Sequence, residues 1–248
     1  MGLRRFRADL HIHTCLSPCG ELSMFPSAVV ERALAQGLDI IAVTDHNAAE
    51  NAAAVAEAAA GTGLTVLPGL ELATEEEAHI LAWFDAGTDL GPLLAVVYAN
   101  LPDVPSRRSL VKEQVIVDAE DGVTGFNPHC LIGATRLDAA AAVGLIHRHG
   151  GMAVAPHIDR EAFSLVSQLG FIPPDLELDA VEVSPLRSFA EALAAYGPLT
   201  PLPFVRFSDA HRPEEIGQAT MEFLMAEPRL GEIRKALARR DGREVRPT

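Results

Sequence analysis

The sequence is poor in lysine. Lys112 and Lys235 are its only two, and 20 basic residues face 34 carboxylates, for a net charge of −14. Polyphosphate backbones draw proteins that cluster Lys and Arg. This balance therefore predicts no stable nucleic-acid binding and turns the expectation to a small-molecule phosphate ester. Cysteine is scarce as well: three residues cannot pair fully, which excludes a disulfide scaffold and fits a cytoplasmic location. No apolar run approaches the roughly 18 residues of a membrane span, so no membrane partner is expected. The opening "MGLRRFRADLHIHT" lacks the apolar stretch and small-residue cleavage site of a secretory signal, and Phe6 stands where a myristoylation motif wants Ser or Thr. Apolar residues, by contrast, make up 48% of the 248, enough for a large core.

Short apolar runs alternate with alanine-rich helical stretches. "RADLHIH", "DIIAVTDH", "TVLPGLEL", "AHILAWF", "GMAVAPH", "LDAVEVS" and "PFVRFSDAH" read as strands. Helices are expected from about Pro26 to Gly37, from an N-cap at Asn47, near Leu137–His149, from about Glu161, over Ser188–Tyr196 and over Leu230–Arg239. Strands alternating with helices imply parallel pairing through crossovers. Six or seven such units in one domain, residues 1–248, fit a closed or nearly closed α/β barrel better than two domains. A doubly wound open sheet is the other arrangement. Residues 85–136 are less regular, with a helix expected around Leu90–Ala99, and form an expected insertion or lid.

The chemistry gathers at strand ends. Nine histidines and three cysteines serve the whole chain, yet His11, His13, Cys15 and Cys19 fall within one short stretch. Strand after strand stays apolar until its last residues: His11 and His13, then Asp45 and His46, Glu71, His157, and Asp209 with His211. His79 begins the fourth strand instead. Side chains two apart on a strand share a face, as His11 and His13 do. Burying so many polar groups without partners would cost several kcal/mol each by transfer estimates. Two or three divalent ions are natural partners, and imidazole with carboxylate suits Zn, Mn or Fe. His147 and His149 sit at a helix end, where cations complement the dipole.

In order and spacing, "DLHIHT", "AVTDHN", "PGLE", "PHID" and "FSDAH" resemble the motifs of the PHP (polymerase and histidinol phosphatase) family. "LIGATRLDAAAAVGLIHRHGGMAVAPHIDR" is similar to a stand-alone bacterial subgroup. The resemblance implies a distorted (β/α)7 barrel with a metal cluster at the C-terminal ends of the strands, and phosphoesterase chemistry. It implies as ligands His11, His13, Cys19, His46, Glu71, His79, His157, Asp209 and His211. One ion would lie on His11, His13 and Asp209, a second on His46, His211 and Cys19, and a third on His79 and His157, with Glu71 bridging the first and third. The catalytic role falls to His11, His13, Asp209 and His211 through a metal-activated water, and Asp45 would orient a ligating imidazole. Cys19 departs from the His or Asp common at its position. A thiolate there favours Zn or Fe(II) over Mg.

Arginine is the natural phosphate holder, through its planar fork. Arg160 and Arg187 follow strands and are expected at the mouth, with Arg136 and Arg212 as alternatives. The subgroup implies a nucleotide-type phosphomonoester. A metal-dependent amidohydrolase and a non-catalytic metal-stabilised binding module are the rival readings.

Overall fold

A computed structural model describes residues 2–103 and 113–248. The described residues form eleven strands and seven α-helices. β1 (Arg4–Ile12), α1 (Pro26–Ala35), β2 (Ile40–Val43), α2 (Glu50–Ala58) and β3 (Thr65–Ala73) come first, followed by β4 (His79–Trp83) and α3 (Gly91–Asn100). β5 (Val115–Val117) and β6 (Val123–Phe126) form a separate hairpin. α4 (Ala139–Arg148), β7 (Met152–Ala155), α5 (Leu165–Leu169), β8 (Ala180–Val183), α6 (Phe189–Tyr196) and β9 (Phe204–Arg206) complete the repeating part. β10 (Met221–Met225), α7 (Leu230–Leu237) and β11 (Glu244–Pro247) end the chain.

The main sheet runs β11-β10-β1-β2-β3-β4-β7-β8-β9. A parallel bridge between Ile12 and Ala210 brings the segment after β9 back to β1, so β1, β2, β3, β4, β7, β8 and β9 close a seven-stranded barrel. β1 has two antiparallel and parallel halves: its residues Arg4–Ala8 pair with β10, and from Ala8 onward it pairs with β2. The expected all-parallel pairing fails at β4, which is antiparallel to both β3 and β7. Only Thr74–Ala78 separates β3 from β4, far too few residues for a parallel crossover. Reversal puts the first residue of β4, His79, at the same end of the barrel as the last residues of its neighbours.

Inward side chains stack apolar layers below and polar groups above. Leu67 of β3, Leu81 and Trp83 of β4, Ala180 of β8, and Val205 with Phe207 at β9 belong to the interior cluster. At the two-residue period of a strand, the same faces carry Glu71, His79, Glu182 and Asp209. In β1 the interior residues are Phe6, Ala8 and Leu10, of the opposite parity to His11 and His13. The register shifts between Asp9 and Ile12, and that irregularity separates the two parities. Gly69 sits where β3 approaches β4: a Cβ there would collide with the Ala82 carbonyl. Outside the barrel, Ile12, Ile41 and Val43 pack on α1 and α2, while Leu70, Leu72, Ile80, Ala153 and Val181 pack among residues of α3, α4, α5 and α6.

Three expected elements change. Asn47 is not an N-cap: α2 starts at Glu50 after Ala49. The Asn47 side chain, on a residue with φ +50°, instead donates to the Leu131 and Gly133 carbonyls and accepts from the Ala73 amide. The helix expected from Glu161 begins at Leu165, capped by Ser164. Segment 85–136 carries α3 and the β5–β6 hairpin, and its residues 104–112 lie outside the described part of the chain. Among the described residues no helix is long and apolar enough to cross a membrane.

Candidate metal centre

Glu71 is the hub. One oxygen lies 2.9 Å from His157 Nε2 and 3.0 Å from His79 Nδ1, and the other lies 3.1 Å from His46 Nδ1 and 3.5 Å from His13 Nε2. Asp209 is the second focus, its Oδ1 3.1 Å from both His11 Nε2 and His13 Nε2. Glu71 and Asp209 are buried, with His11, His13, His46 and His157. His157 (φ +34°) and Asp209 (φ +52°) both adopt left-handed backbone just beyond their strands, an arrangement that surrounding structure must enforce.

The hydrogen bonds fix which ring nitrogens face inward. His11 Nδ1 sits 3.1 Å from both oxygens of Glu182, so Nδ1 carries a proton and Nε2 faces the centre. His13 Nδ1 meets Ser17 Oγ at 3.0 Å, and that hydroxyl donates to Asp45, so here Nε2 is left as acceptor. The two Nε2 atoms are 3.3 Å apart. With both Nε2 atoms unprotonated, two lone pairs and the Asp209 carboxylate would converge on one point, an arrangement that a bound cation, or a proton on His11, relieves. His211 Nδ1 donates to the Asp209 carbonyl at 2.8 Å, freeing its Nε2 likewise. His157 Nδ1 is buried with no partner.

Electrostatics agree. Burial works against the charge of Glu71 and Asp209, but the surrounding imidazoles outweigh it and hold both carboxyls well below the usual range. Burial also disfavours protonating His11, yet Asp209, Glu182 and Glu71 raise its pKa well above normal. His13 falls to about 4 through burial and the nearby His211, and burial lowers His46 as well. A cation at the convergence would take the place of the His11 proton. Burial and the charges of Glu71 and Asp209 push the Cys19 thiol up, so only a bound metal would favour its thiolate.

Three donor sets could each hold an ion: His13, Cys19, His46 and His211; His11, His13 and Glu71; and His46, Glu71 and His79. In each, the ligand atoms lie within 4.8 Å of one another. His13, His46 and Glu71 each enter two sets, so the groups interlock. Asp45 reaches no donor set directly. Its oxygens accept from Thr14 N, Thr14 Oγ1 and Ser17 Oγ, and it acts on His13 through Ser17. Glu182, under His11, is a partner that the sequence analysis does not single out. Its place in the apolar run "LDAVEVS" with the parity of inward Ala180 marked it as a buried carboxylate in need of a partner.

The cluster floors a cavity of about 470 Å3 at the C-terminal end of the barrel. Arg160 borders it, with Nη2 2.6 Å from Asp209 Oδ2 and about a third of its side chain exposed. Ile132 and Phe163 line the same cavity, and the Phe163 ring stacks on His79 at 5.0 Å and 7°. Arg187 is exposed and lies outside the cavity lining, beside Glu191. Arg136 donates to the Ala99 carbonyl, and Arg212 pairs with Glu21. His129 stacks on Tyr98, His147 bonds Asp179, and His149 bonds the Leu145 carbonyl. A larger groove, about 660 Å3, opens at the other end of the barrel among Met152, Phe204, Met221 and Arg234, away from every donor set.

Solved structures share this fold. Endonuclease Q in complex with a 27-mer duplex bearing an abasic lesion at its active site aligns with TM-score 0.69 and 17% identity, over 97% of this chain and 58% of that one. The lesion-specific endonuclease of Pyrococcus furiosus gives 0.68 and 18%, over 98% and 58%. This chain therefore spans less than two thirds of those endonucleases. A candidate metal-dependent phosphoesterase from Bifidobacterium adolescentis gives 0.55 and 19% over 83% and 88%. An amidohydrolase from Chromobacterium violaceum, with bound sulfate, gives 0.57 and 24% over 85% and 89%. No curated protein sequence matches significantly.

The endonuclease complex overturns one expectation. Net acidity does not confine this barrel to small-molecule esters or bar nucleic acid, because Endonuclease Q holds a duplex at its active site. Charge summed over a molecule does not report the field at one face, where metal ions are the largest local charges. Neighbours named as endonuclease, phosphoesterase and amidohydrolase thus share the fold of this chain, whose donor sets could hold metal ions. The sequence model of the PHP domain matches residues 9–168, well over half the chain, and that of the PHP-associated region matches 199–241. The chain belongs to the PHP family.

Proposed function

We propose that the chain is a metal-dependent phosphoesterase acting on a nucleotide-type phosphate ester, either free or carried on a strand. The observation that carries this reading is Arg160. Its guanidinium rests on Asp209 at the cavity wall, so its remaining N–H donors can meet an anionic group directly above the donor sets. Two or three divalent ions of the Zn, Mn or Fe type would acidify water and polarise a phosphoryl oxygen when bound. His11, His13 and Asp209 would hold one ion and Cys19, His46 and His211 another. Glu71, His79 and His157 complete the set, and Glu182 and Asp45 orient their partners. Cys19 favours Zn or Fe(II), and a reducing, cytoplasmic setting would keep it available. Residues 1–248 act as one catalytic unit in this reading, with segment 85–136 bordering the cavity through Ile132.

The test is phosphate release and strand cleavage by protein reconstituted anaerobically with Zn, Mn or Fe. Substrates would be nucleoside monophosphates, a terminally phosphorylated oligonucleotide, a duplex with an abasic site, and an amide and a lactone series. Release or cleavage that is lost in Asp209→Ala and falls at least tenfold in Arg160→Ala is the expected result. Turnover confined to amides or lactones would transfer the site to the amidohydrolase reading, and metal loading with no turnover of any substrate to that of a binding module.

A further inference from the structure

The geometry assigns Phe163 as a stacking platform that selects phosphate esters bearing a planar aromatic base; this inference rests on the phosphoesterase reading. Phe163 is a large apolar side chain left 49% exposed beside a cluster of buried polar groups. One face lies parallel to the His79 ring at 5.0 Å and 7°. Phe163 also lines the 470 Å3 cavity, which a nucleotide-sized ligand would fit. Its backbone is anchored to the same histidine, since the Phe163 carbonyl accepts the His79 amide at 2.8 Å. The residue holds φ +60°, a conformation a bulky side chain rarely takes, so the turn presents the ring at a conformational cost.

Two further observations set the ligand's shape. Ile132, 55% exposed, lines the same cavity and supplies a second apolar surface. Arg160, three residues before Phe163, borders it with its cationic group on Asp209. The cavity thus joins an anion holder and metal donors to an aromatic plane within one turn of chain. A phosphate on the donors and a flat base on Phe163 satisfy all three. A sugar phosphate without a base leaves the exposed ring uncovered. Aromatic stacking tolerates every base, so the platform selects for the presence of a base and does not read its identity.

The inference is tested by calorimetric titration of Mn-loaded protein with AMP and with ribose 5-phosphate, which differ by the base. Wild type should bind AMP roughly five- to a hundredfold more tightly, the range of base–aromatic stacking. That preference should collapse in Phe163→Leu and return in Phe163→Tyr, with metal content by elemental analysis equal in all three. Equal wild-type affinity for the two probes, weak binding of both, or a preference that survives Phe163→Leu would overturn the platform. Binding is read without turnover, so a protein that prefers AMP but releases no phosphate would sink the phosphoesterase reading alone. A parallel titration with a 3′-phosphorylated dinucleotide and its abasic counterpart shows whether the platform also receives a base carried on a strand: a preference there, beside that for AMP, extends the platform to strands, and its absence confines it to free nucleotides.

Discussion

Glu182 fixes the proton on His11 from beneath the centre, with both carboxylate oxygens 3.1 Å from Nδ1. Replacing it by Gln keeps the shape and removes the charge. Because partners of ligating imidazoles are worth ten- to a hundredfold in metal affinity, Glu182→Gln should weaken Zn or Mn binding by that factor in a chelator competition. An unchanged affinity would mean the orientation of His11 is set elsewhere. Most candidate donors were legible in the sequence because each breaks an apolar run at its end, where a polar group has no structural excuse. Glu182 sits inside such a run, and only its parity with Ala180 points it inward. Arg187 shows the converse: following a strand gave it reach to the mouth, but the turn after β8 leaves it exposed beside Glu191. Phe163 was invisible for a third reason. Nothing in "HIDREAFS" announces a left-handed turn that leaves an aromatic ring on the surface.

The helices and strands themselves were mostly readable from periodicity, but strand direction was not, since alternation of element types carries no sign. The five-residue link between β3 and β4 did carry it. Beyond the helix expected at its start, segment 85–136 looked irregular because proline and short strands obscure any period, yet its hairpin is tied to the barrel through Asn51 of α2. That buried amide donates to the Val115 carbonyl and Thr14 Oγ1, both at 3.0 Å, and accepts from Val117 N at 3.1 Å. Asn51→Ala leaves buried partners unsatisfied and should cost about 1–3 kcal/mol in denaturant unfolding. At the C-terminal end, Glu232 of α7 receives Arg243 and Lys235, the hydrogen bond from Arg243 being the largest of the influences that lower its pKa to about 2 from the usual 4.5. A depressed carboxylate stabilises the fold above its unfolded pKa and loses that contribution as pH falls through the folded one. Arg243→Met should therefore lower the melting temperature at pH 7, and the difference from wild type should shrink below about pH 4.5 and vanish near pH 2.

For the molecule as a whole, net charge was the least informative quantity, since it said nothing of the one face where donors converge. Metals that bind only the folded state stabilise it by mass action, by about 2.7 kcal/mol at a hundredfold excess over the dissociation constant. For a chain of this length that corresponds to roughly 5–10 °C, which chelation should remove in a thermal melt. An unchanged melting temperature would mean that the barrel stands without its ions. Their leverage is local as well as global. The circle of strands is completed by the isolated bridge at Ile12 and Ala210, with His13 N donating to the Ala210 carbonyl and Ala210 N to that of His11. The residues on either side of this thin join are His11, His13, Asp209 and His211, so any ion shared across the two segments would be a clasp over it. Hydrogen exchange at the His13 and Ala210 amides should quicken on chelation while the amides of β2 hold their protection. In that case gaining the ion and shutting the ring are the same event.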